Sequence, residues 1–279
     1  MQAQQAPLQR WSAPPAVTAS IGLHALAAGT AIVMPEAFWW ALGGIGLNHL
    51  GLTAAGLWPR SRVLGPNWTR LPDAAARRRQ FALTLDDGPD PEVTPRVLDL
   101  LDAHRVRATF FCIAARALAA PALVREIVAR GHDVQNHSHS HRHHFALLGP
   151  QALARELARA QQVLADLTGV PPHCFRAPAG LRNPFLDPVL HAHDLNLVSW
   201  TRRGFDTVRG DAPRVLARLT AGMAAGDIVL LHDGHAGRTA DGTPVVLEVL
   251  PHLLAHAASC GLQGTTLRDA IPLRSSARP

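Results

Sequence analysis

The sequence has 279 residues, 47% of them hydrophobic, which is enough apolar material for one large core but not for several separate domains. Its net charge is +6, and arginine supplies the whole cationic excess because the sequence contains no lysine. Tyrosine is absent and no basic helix is interleaved with aromatic residues, so we expect no nucleic-acid partner. The positive charge instead favours an anionic neighbour such as lipid headgroups.

Two apolar stretches dominate the first sixty residues. The stretches 16–34 and 38–57 are each close to the roughly 20 residues that cross a bilayer. Pro35 between them favours a short turn, so we predict an N-terminal transmembrane helical hairpin and a membrane anchor over residues 1–64. Tryptophans lie near the ends of the stretches, as interfacial aromatic residues do: Trp39, Trp40 and Trp58. The alternative is a signal peptide followed by a buried helix, which is less favoured because Arg10 is the only basic residue before the first stretch.

The arginines that flank the hairpin predict its orientation. Arg10 precedes it, and Arg60, Arg62 and Arg70 follow it. By the positive-inside rule, both flanks and the domain behind them lie in the cytoplasm. We therefore expect a protein of a bacterial-type inner membrane with a cytoplasmic catalytic domain, and a periplasmic domain is the alternative.

Strand and helix patterns alternate after a Pro-containing linker at 65–80, through a domain that extends over 81–272 and leaves a tail at 273–279. The predicted strands are 81–85, 108–112, 133–135, a strand that ends at residue 175, 195–200 and 228–231. The predicted helices are 95–104, 122–130, 151–167, 185–193, 213–224 and 245–258. This alternation predicts an α/β fold with a parallel sheet covered by helices.

Polar side chains follow these strands at the point where each one ends. The clusters are Asp86-Asp87, His137, Arg176, Trp200 and His232-Asp233. In a parallel barrel the carboxyl ends of the strands meet at one mouth, which is where catalytic residues lie. The recurrence of polar clusters at the same end of several strands therefore predicts a single site.

Asp87 with His137 and His141 predicts a metal site. One carboxylate and two imidazoles form a three-ligand set that leaves a coordination position open for water. The tract after the third strand contains five histidines, and in a helical turn either His137 and His141 or His139 and His143 would share one face. The first pair is favoured because His137 follows the strand directly. A solvent-exposed histidine tract is the alternative, disfavoured by the acidic pair upstream.

Four segments form an ordered series: Thr84-Leu85-Asp86-Asp87-Gly88-Pro89, Asn136-His137-Ser138-His139-Ser140-His141, Arg176-Ala177-Pro178-Ala179-Gly180 and Leu231-His232-Asp233. They resemble motifs of the polysaccharide deacetylases, the NodB-homology family also called carbohydrate esterase family 4. The resemblance spans residues 81–271. It implies a distorted (β/α) barrel and a metal-dependent hydrolase that removes an N-acetyl or N-formyl group from an amino sugar.

The resemblance also implies a role for each site residue. Asp86 would be the general base and His232 the general acid, beside the three metal ligands above. Arg176 would pair with Asp86, for which an ordinary structural salt bridge is the alternative. Asp206 would orient His232, although the sequence around it departs from the family's commoner Asp-Trp form.

The residues around the acyl group are implied in the same way. The backbone N–H of Ala179 would stabilise the oxyanion, while Trp200 and Leu230 would enclose the acyl methyl group or simply belong to the core. Ala179 replaces the family's usual aromatic residue, which argues against sugar stacking there and suggests an atypical substrate.

The sequence predicts the class of cofactor and the class of substrate, but not their identities. Zinc is the first expectation for the divalent ion, and cobalt, nickel and iron suit the same mixed nitrogen and oxygen ligands. The substrate is either a glycan polymer or a lipid-linked amino sugar; an open groove would favour the polymer and a cleft closed on one side the lipid-linked sugar. A non-catalytic metal- or glycan-binding membrane protein and a hydrolase of a non-sugar amide are the alternatives.

Overall fold

The computed structural model describes residues 10–274, so the first nine residues of the predicted anchor and most of the predicted tail at 273–279 lie outside the described range. The helices α1–α11 are, in chain order, Pro15–Val33, Phe38–Leu57, Asp73–Arg77, Thr94–Ala103, Ala114–Ala119, Pro121–Ala129, Pro150–Thr168, Leu186–Ala192, Ala212–Thr220, Val245–Ser259 and Leu267–Ala270. The strands β1–β8 are Gln80–Asp86, Thr109–Cys112, Asp133–Asn136, Cys174–Phe175, Asn196–Leu197, Arg202–Arg203, Ile228–His232 and Gln263–Gly264.

The strands form one curled parallel sheet. Their spatial order is β5-β4-β3-β2-β1-β7-β6, and β8 pairs with the start of β1. Among the described strands no ladder joins β5 to β6, so the sheet is a half-barrel that is open on this side. The predicted (β/α) architecture is therefore present, but the ring of strands is incomplete.

Side-chain alternation along the strands decides which residues face the interior of the half-barrel. On β1 the odd-numbered apolar residues pack under the helices, whereas Ala82 packs in the interior cluster and Asp86 has the same parity. On β7 Leu230 belongs to the interior cluster, and His232 has the same parity. The two central strands therefore deliver an acid and an imidazole to the same interior.

The main core lies between the sheet and the surrounding helices. Helices α4, α6 and α10 bury leucine, isoleucine and valine side chains at helical spacing against the outer face of β1, β2 and β7. Fully burying each such side chain contributes roughly 2 kcal/mol, so this layer dominates the stability of the scaffold that holds the site.

Helices α1 and α2 form an antiparallel hairpin joined by the short 3₁₀ turn Pro35–Ala37. A helix of 19 residues, the length of α1, rises about 28 Å, close to the hydrocarbon thickness of a bilayer. Polar contacts join the helices: Asn48 donates to the Ser20 hydroxyl at 2.8 Å, and the Nε2 atoms of His24 and His49 are 3.1 Å apart.

Only α1, among the described helices, is both long and apolar enough to cross a membrane, with a mean hydropathy of 1.6 and 11% of its most apolar window buried. A signal sequence near the N-terminus meets the same two criteria of length and hydropathy. α2 is one residue longer and carries Asn48 and His49 near its middle. The predicted pair of helices is present, while the crossing of a membrane by both remains a proposal.

Both ends of the hairpin are fixed to the rest of the fold. Before α1, Trp11 donates from its indole nitrogen to Asp187 at 2.8 Å. At the end of α2, the carbonyl of Gly56 accepts from the Arg182 backbone N–H at 3.1 Å. A Cβ at Gly56 would lie 2.2 Å from the Arg182 carbonyl oxygen, so only glycine allows this approach.

The segment 65–80, predicted as a linker, is packed against the sheet. Trp68 forms a parallel bridge with Val198, which extends the sheet beyond β5. Leu71 and Ala75 are buried in the interior cluster, and α3 lies in this segment. The sequence missed this packing because its short apolar pattern is interrupted by prolines.

Candidate active site

The carboxyl ends of β1 and β7 bring an acid and an imidazole together inside the half-barrel. Asp86, the last residue of β1, pairs in register with His232, the last residue of β7, and both line a cavity of about 260 Å³. Residues that follow the neighbouring parallel strands reach the same cavity, since those strands end at one edge of the sheet. The predicted site residues that line it are Asp86, Asp87, His137, His141, Ala179, Trp200, Leu230 and His232.

Arg176 lies behind the cavity and holds Asp86. Its Nη1 donates to Oδ1 of Asp86 at 2.6 Å, and Nε and Nη2 donate to the carbonyl oxygens of Val198 and Ser199 at 3.2 and 2.9 Å. The Arg176 side chain is 1% exposed, and this burial lowers the pKa of its guanidinium although Asp86 opposes the shift. Because Oδ1 of Asp86 is engaged, Oδ2 is the atom left for chemistry.

Asp206 holds His232 in a similar way. Its Oδ1 lies 2.9 Å from Nδ1 of His232, and its Oδ2 accepts from the His232 backbone N–H at 2.8 Å. A carboxylate partner makes Nδ1 the donor, so Nε2 is the nitrogen available for reaction. Burial by itself would lower the pKa of His232, but the charge and hydrogen bond of Asp206 outweigh it and raise that pKa. The ring therefore retains a proton more readily than a histidine in water.

The three predicted metal ligands converge on one point. Nε2 of His137 and Nε2 of His141 lie 3.2 and 3.1 Å from Oδ1 of Asp87, and the three ligand atoms are all within 4.8 Å of one another. His137 faces the carbonyl of Arg176 with Nδ1 at 2.8 Å. Because a carbonyl only accepts, Nδ1 carries a proton, and in the neutral ring Nε2, which faces Asp87, has the lone pair that a metal ion would take.

The residues at this point fit a divalent cation. Oδ1 of Asp87 is buried and has no hydrogen-bond partner in the described part of the chain, despite the two imidazole nitrogens beside it. A buried carboxylate oxygen without a partner is unfavourable, and a cation between these three ligand atoms would satisfy it. Burial alone would raise the pKa of Asp87, but its proximity to His137 and His141 holds that pKa well below its usual range. The carboxylate is therefore ionised, as a metal ligand must be.

The backbone is strained at several of these positions. Asp87, His141 and Ala179 have left-handed φ angles of 69°, 48° and 55°. Such a conformation at a residue with a Cβ costs about 1–3 kcal/mol and recurs at functional sites, where the surrounding structure enforces it. Here it turns Asp87 away from the strand direction of Asp86, so that the two neighbouring carboxylates take different surroundings.

The structure brings His137 and His141 together, but not by the helical turn that the sequence suggested. The segment has no helix, and left-handed residues at Ser138 and His141 fold it into an irregular loop. His139 points into a separate cleft with Glu156. His143 lies at the edge of the catalytic cavity and does not belong to the metal cluster. The helical turn predicted for this segment is therefore wrong.

One wall of the cavity is made by Trp200, Leu230 and the Ala179–Gly180 turn. Gly180 has a φ of 74°, and a Cβ there would lie 2.7 Å from both the Trp200 indole and the Pro59 ring. Pro59 also accepts a hydrogen bond from the Ser199 hydroxyl through its carbonyl at 2.6 Å. The segment that follows the hairpin therefore packs directly behind this wall.

Sequence reasoning missed two residues at the rim and one that lines the wall. His235 approaches Asp87 Oδ2 with Nδ1 at 3.4 Å, and Arg116 donates to the Asp87 carbonyl oxygen at 2.8 Å. Arg203 lines the cavity beside Trp200. The position of His235, three residues after the end of β7, was a usable signal. Nothing local in the sequence indicated Arg116, which approaches Asp87 from α5, or Arg203, which lies three residues after Trp200.

The sequence matches a known protein family and is similar to two named deacetylases. The family profile described as polysaccharide deacetylase matches residues 73–198. A chitooligosaccharide deacetylase of Bradyrhizobium sp. (strain ANU 289) is 36% identical over 159 residues, covering 56% of this chain and 72% of that protein. The peptidoglycan-N-acetylglucosamine deacetylase PgdA of Listeria monocytogenes is 33% identical over 172 residues, which are 61% of this chain but only 36% of that protein.

A solved structure shows the same fold. The family 4 carbohydrate esterase from Streptomyces lividans in complex with acetate superposes with a TM-score of 0.60 at 30% identity, covering 66% of this chain and 91% of that one. The similarity covers most of that esterase and about two thirds of this chain.

Proposed function

The chain belongs to the polysaccharide deacetylase family, carbohydrate esterase family 4, and on that premise we propose that it hydrolyses the N-acetyl group of an amino sugar in a metal-dependent reaction. The observation that carries the proposal is the meeting of three groups in one cavity. These are the Asp87-His137-His141 cluster, a carboxylate held by Arg176 and an imidazole held by Asp206. An N-formyl group is the alternative acyl group.

Asp86 would act as the general base. Its Oδ1 is fixed by Arg176, so Oδ2 accepts a proton from the water molecule that attacks the amide carbon. Arg176 keeps this carboxylate oriented and compensates its charge inside a buried site. The water oxygen then forms a bond with the acyl carbon, and negative charge develops on the former carbonyl oxygen.

His232 would act as the general acid. Asp206 fixes its Nδ1 proton, so Nε2 donates a proton to the amide nitrogen as the carbon–nitrogen bond breaks. The products are a free amine on the sugar and acetate. Protonation at this step is needed because an unprotonated amide nitrogen is a poor leaving group, and the raised pKa of His232 supports the role.

The wall of the cavity would orient the acyl group. The backbone N–H of Ala179, held in a left-handed conformation, is the proposed donor to the oxyanion, with Trp200 and Leu230 around the acyl methyl group. The small side chain of Ala179 leaves room beside the cavity where a larger residue would contact the sugar.

Asp87, His137 and His141 would hold the divalent ion, with zinc as the first expectation and cobalt, nickel and iron as alternatives. Bound there, the ion would supply Lewis-acid chemistry that polarises the acyl oxygen and lowers the pKa of water. The proton that the Arg176 carbonyl holds on Nδ1 of His137, and the ionised carboxylate of Asp87, support this assignment.

We propose that the chain consists of a membrane anchor, a connecting segment and a catalytic domain. Residues 1–64 would anchor the protein in a membrane of the bacterial inner type, 65–80 would connect, and 81–272 would carry the reaction. The apolar surface of α1, which the described part of the chain leaves mostly exposed, supports the anchor. The arginines after the hairpin favour a cytoplasmic active site, and a periplasmic one is the alternative. The relatives' names favour an N-acetylglucosamine polymer, whereas the anchor favours a lipid-linked amino sugar.

Acetate release by the full chain in a non-ionic detergent tests the proposed activity. The substrates are chitooligosaccharides and peptidoglycan fragments, with and without chelator. The active-site variants are Asp86→Asn and His137→Ala. Asp166→Asn and His104→Ala make the same chemical changes at exposed positions and serve as matched controls.

Metal-dependent release that both active-site variants abolish and both controls retain is the expected result. Loss of activity in the controls as well would mean that the variants act through folding. Stoichiometric metal binding without release of acetate or formate from any N-acyl sugar would refute the hydrolase and favour a metal-binding role.

A further inference from the structure

A second cleft, of about 550 Å³, adjoins the catalytic cavity on the side where the hairpin ends. Trp200 and Arg203 line both spaces, so the second cleft lies directly beside the catalytic cavity. We call this space the arginine cleft; its defining residues are Trp58, Arg60, Arg203, Phe205 and Arg218. Trp58 and Arg60 come from the segment immediately after α2.

The cleft carries positive charge that the protein does not neutralise. Its fourth arginine, Arg202, is engaged by the buried carboxylate of Asp227. Within residues 10–274, by contrast, no carboxylate lies within ion-pair distance of Arg60, Arg203 or Arg218. Nε of Arg203 is buried and has no hydrogen-bond partner in that range. Three guanidinium groups without an ion-pair partner in one cleft favour an anionic ligand.

Aromatic rings hold two of these guanidinium groups in place. Arg203 stacks on Trp200 and Phe205 at 5.2 and 4.9 Å from the ring centroids, and Arg218 stacks on Phe205 at 5.3 Å. Stacking occupies the faces of a guanidinium and leaves its N–H edges free. Two guanidinium groups contact the ring of Phe205, so an anion that pairs with them would reduce their mutual repulsion.

We propose that the arginine cleft binds a phosphate group that the substrate carries on its amino sugar. The preferred substrate is then a sugar phosphate or diphosphate of the kind that is attached to a lipid, rather than a neutral polymer. Guanidinium groups match the geometry of phosphate oxygens and bind them with two parallel hydrogen bonds, whereas a neutral polymer leaves the three arginines without a partner. This inference rests on the proposed N-deacetylase activity, because it places the N-acyl sugar in the adjoining cavity.

The depth of the cleft favours a phosphate on the substrate over a phospholipid headgroup. Arg60 and Arg218 are exposed and accessible to a membrane surface. Arg203, however, lines the catalytic cavity itself and is only partly exposed. A phosphate attached to the molecule in that cavity would lie beside Arg203, with Arg60 and Arg218 in the adjoining cleft.

The test compares two substrates that differ only at the phosphate. Acetate release from N-acetylglucosamine 1-phosphate and from the methyl glycoside of N-acetylglucosamine is measured with the full chain in a non-ionic detergent. The ratio of the two kcat/KM values is expected to favour the phosphate by about tenfold or more, as one charge-assisted hydrogen-bond pair allows. In Arg218→Gln this ratio falls toward one through a rise in KM. Arg125→Gln removes the same charge from the exposed face of α6 and keeps the ratio.

A binding measurement separates the cleft from the reaction. Calorimetric titration with glucose 1-phosphate, which has the phosphate but no acyl group, is expected to show binding that Arg218→Gln weakens about tenfold and Arg125→Gln leaves intact. Flotation with vesicles that contain phosphatidylglycerol measures headgroup binding in parallel.

The outcomes distinguish the two proposals. Equal turnover of both substrates without binding of glucose 1-phosphate overturns the phosphate cleft and leaves the deacetylase standing. Binding of glucose 1-phosphate that depends on Arg218, without turnover of either substrate, supports the cleft and overturns the deacetylase. An effect of Arg218→Gln on vesicle flotation alone assigns the arginines to headgroups and overturns the inference.

Discussion

Nη1 of Arg176 lies 2.6 Å from Oδ1 of Asp86, and both side chains are buried at the centre of the half-barrel. The carbonyl oxygen of the same arginine faces Nδ1 of His137 at 2.8 Å. One residue thus fixes both the proposed base and the tautomer of a proposed metal ligand. The activity and the stability of the site are therefore coupled through Arg176.

Arg176→Met is expected to abolish acetate release and to lower the free energy of unfolding by about 3–5 kcal/mol, because it leaves the buried carboxylate of Asp86 unpaired. The double variant Arg176→Met with Asp86→Asn removes that charge, so part of the stability returns while activity stays absent. Chemical denaturation and acetate release measure the two effects. Equal destabilisation in the single and double variants would instead assign the loss to the contacts of Arg176 with the backbone carbonyls.

Asp206→Asn is expected to move the alkaline limb of the pH–activity profile to lower pH. The proposed acid His232 must be protonated, so activity falls as pH rises through its pKa, and Asp206 raises that pKa. Without the carboxylate the pKa decreases and activity is lost earlier in an alkaline titration. The measurement is kcat/KM against pH for both proteins. An alkaline limb that stays in place, with only a lower rate, would show that Asp206 positions His232 without tuning it.

The end positions of the strands made much of the site predictable. Alternation with a period of two along β1 and β7 places Asp86 and His232 on the interior side, and parallel pairing puts them in register. Buried strands that are followed directly by polar residues indicated these two site positions without any knowledge of the loops.

The rest of the site depends on contacts between distant segments, which leave no periodic pattern. Pro59 reaches the wall at Gly180 from the segment that follows the hairpin, and Arg116 reaches the Asp87 carbonyl from α5. The loop that contains His141 adopts left-handed backbone conformations that no local preference for a helix predicts. Such features are set by tertiary packing and become visible only in the structure.

Asp87→Asn is expected to reduce the bound metal to well below one equivalent, because it replaces the ionised ligand on which both imidazoles converge. Metal content is measured by mass spectrometry after dialysis, and cobalt absorbance reports the ligand field. His139→Ala is the matched control within the same tract. Its side chain points into a different cleft, so the metal content should stay at the wild-type level. Metal loss in the control instead would point to the His139 and His143 pair.

We expect His132 to lower the free energy of unfolding at acidic pH. Burial lowers its pKa to about 4, and its Nε2 has no hydrogen-bond partner among the described residues. Because the folded state disfavours the proton, the unfolded chain binds it first as pH falls below the ordinary histidine value. Stability is therefore unaffected above about pH 6.5 and is lost between about 6.5 and 4, by up to roughly 3 kcal/mol.

His132→Asn is expected to reduce the drop in melting temperature between about pH 7.5 and about pH 5, since it removes this titrating group. Scanning fluorimetry of the full chain in detergent measures the drop. The exposed His104→Asn is the control and should show the wild-type difference. An unchanged difference in both variants would assign the acid instability to other buried histidines.

Gly56→Ala is expected to loosen the junction between the hairpin and the half-barrel. Its Cβ would lie 2.2 Å from the Arg182 carbonyl oxygen, a backbone atom that cannot move aside without shifting the turn before α8. Gly51→Ala, on the same helix and with nothing within 4 Å of the added carbon, is the matched control and should be neutral or slightly stabilising. The measurement is trypsin cleavage after Arg60 and Arg62, which should accelerate in Gly56→Ala alone. Because Pro59 packs behind the catalytic wall at Gly180, the same variant should also raise KM; equal proteolysis of both variants would show that the end of α2 is not held by this contact.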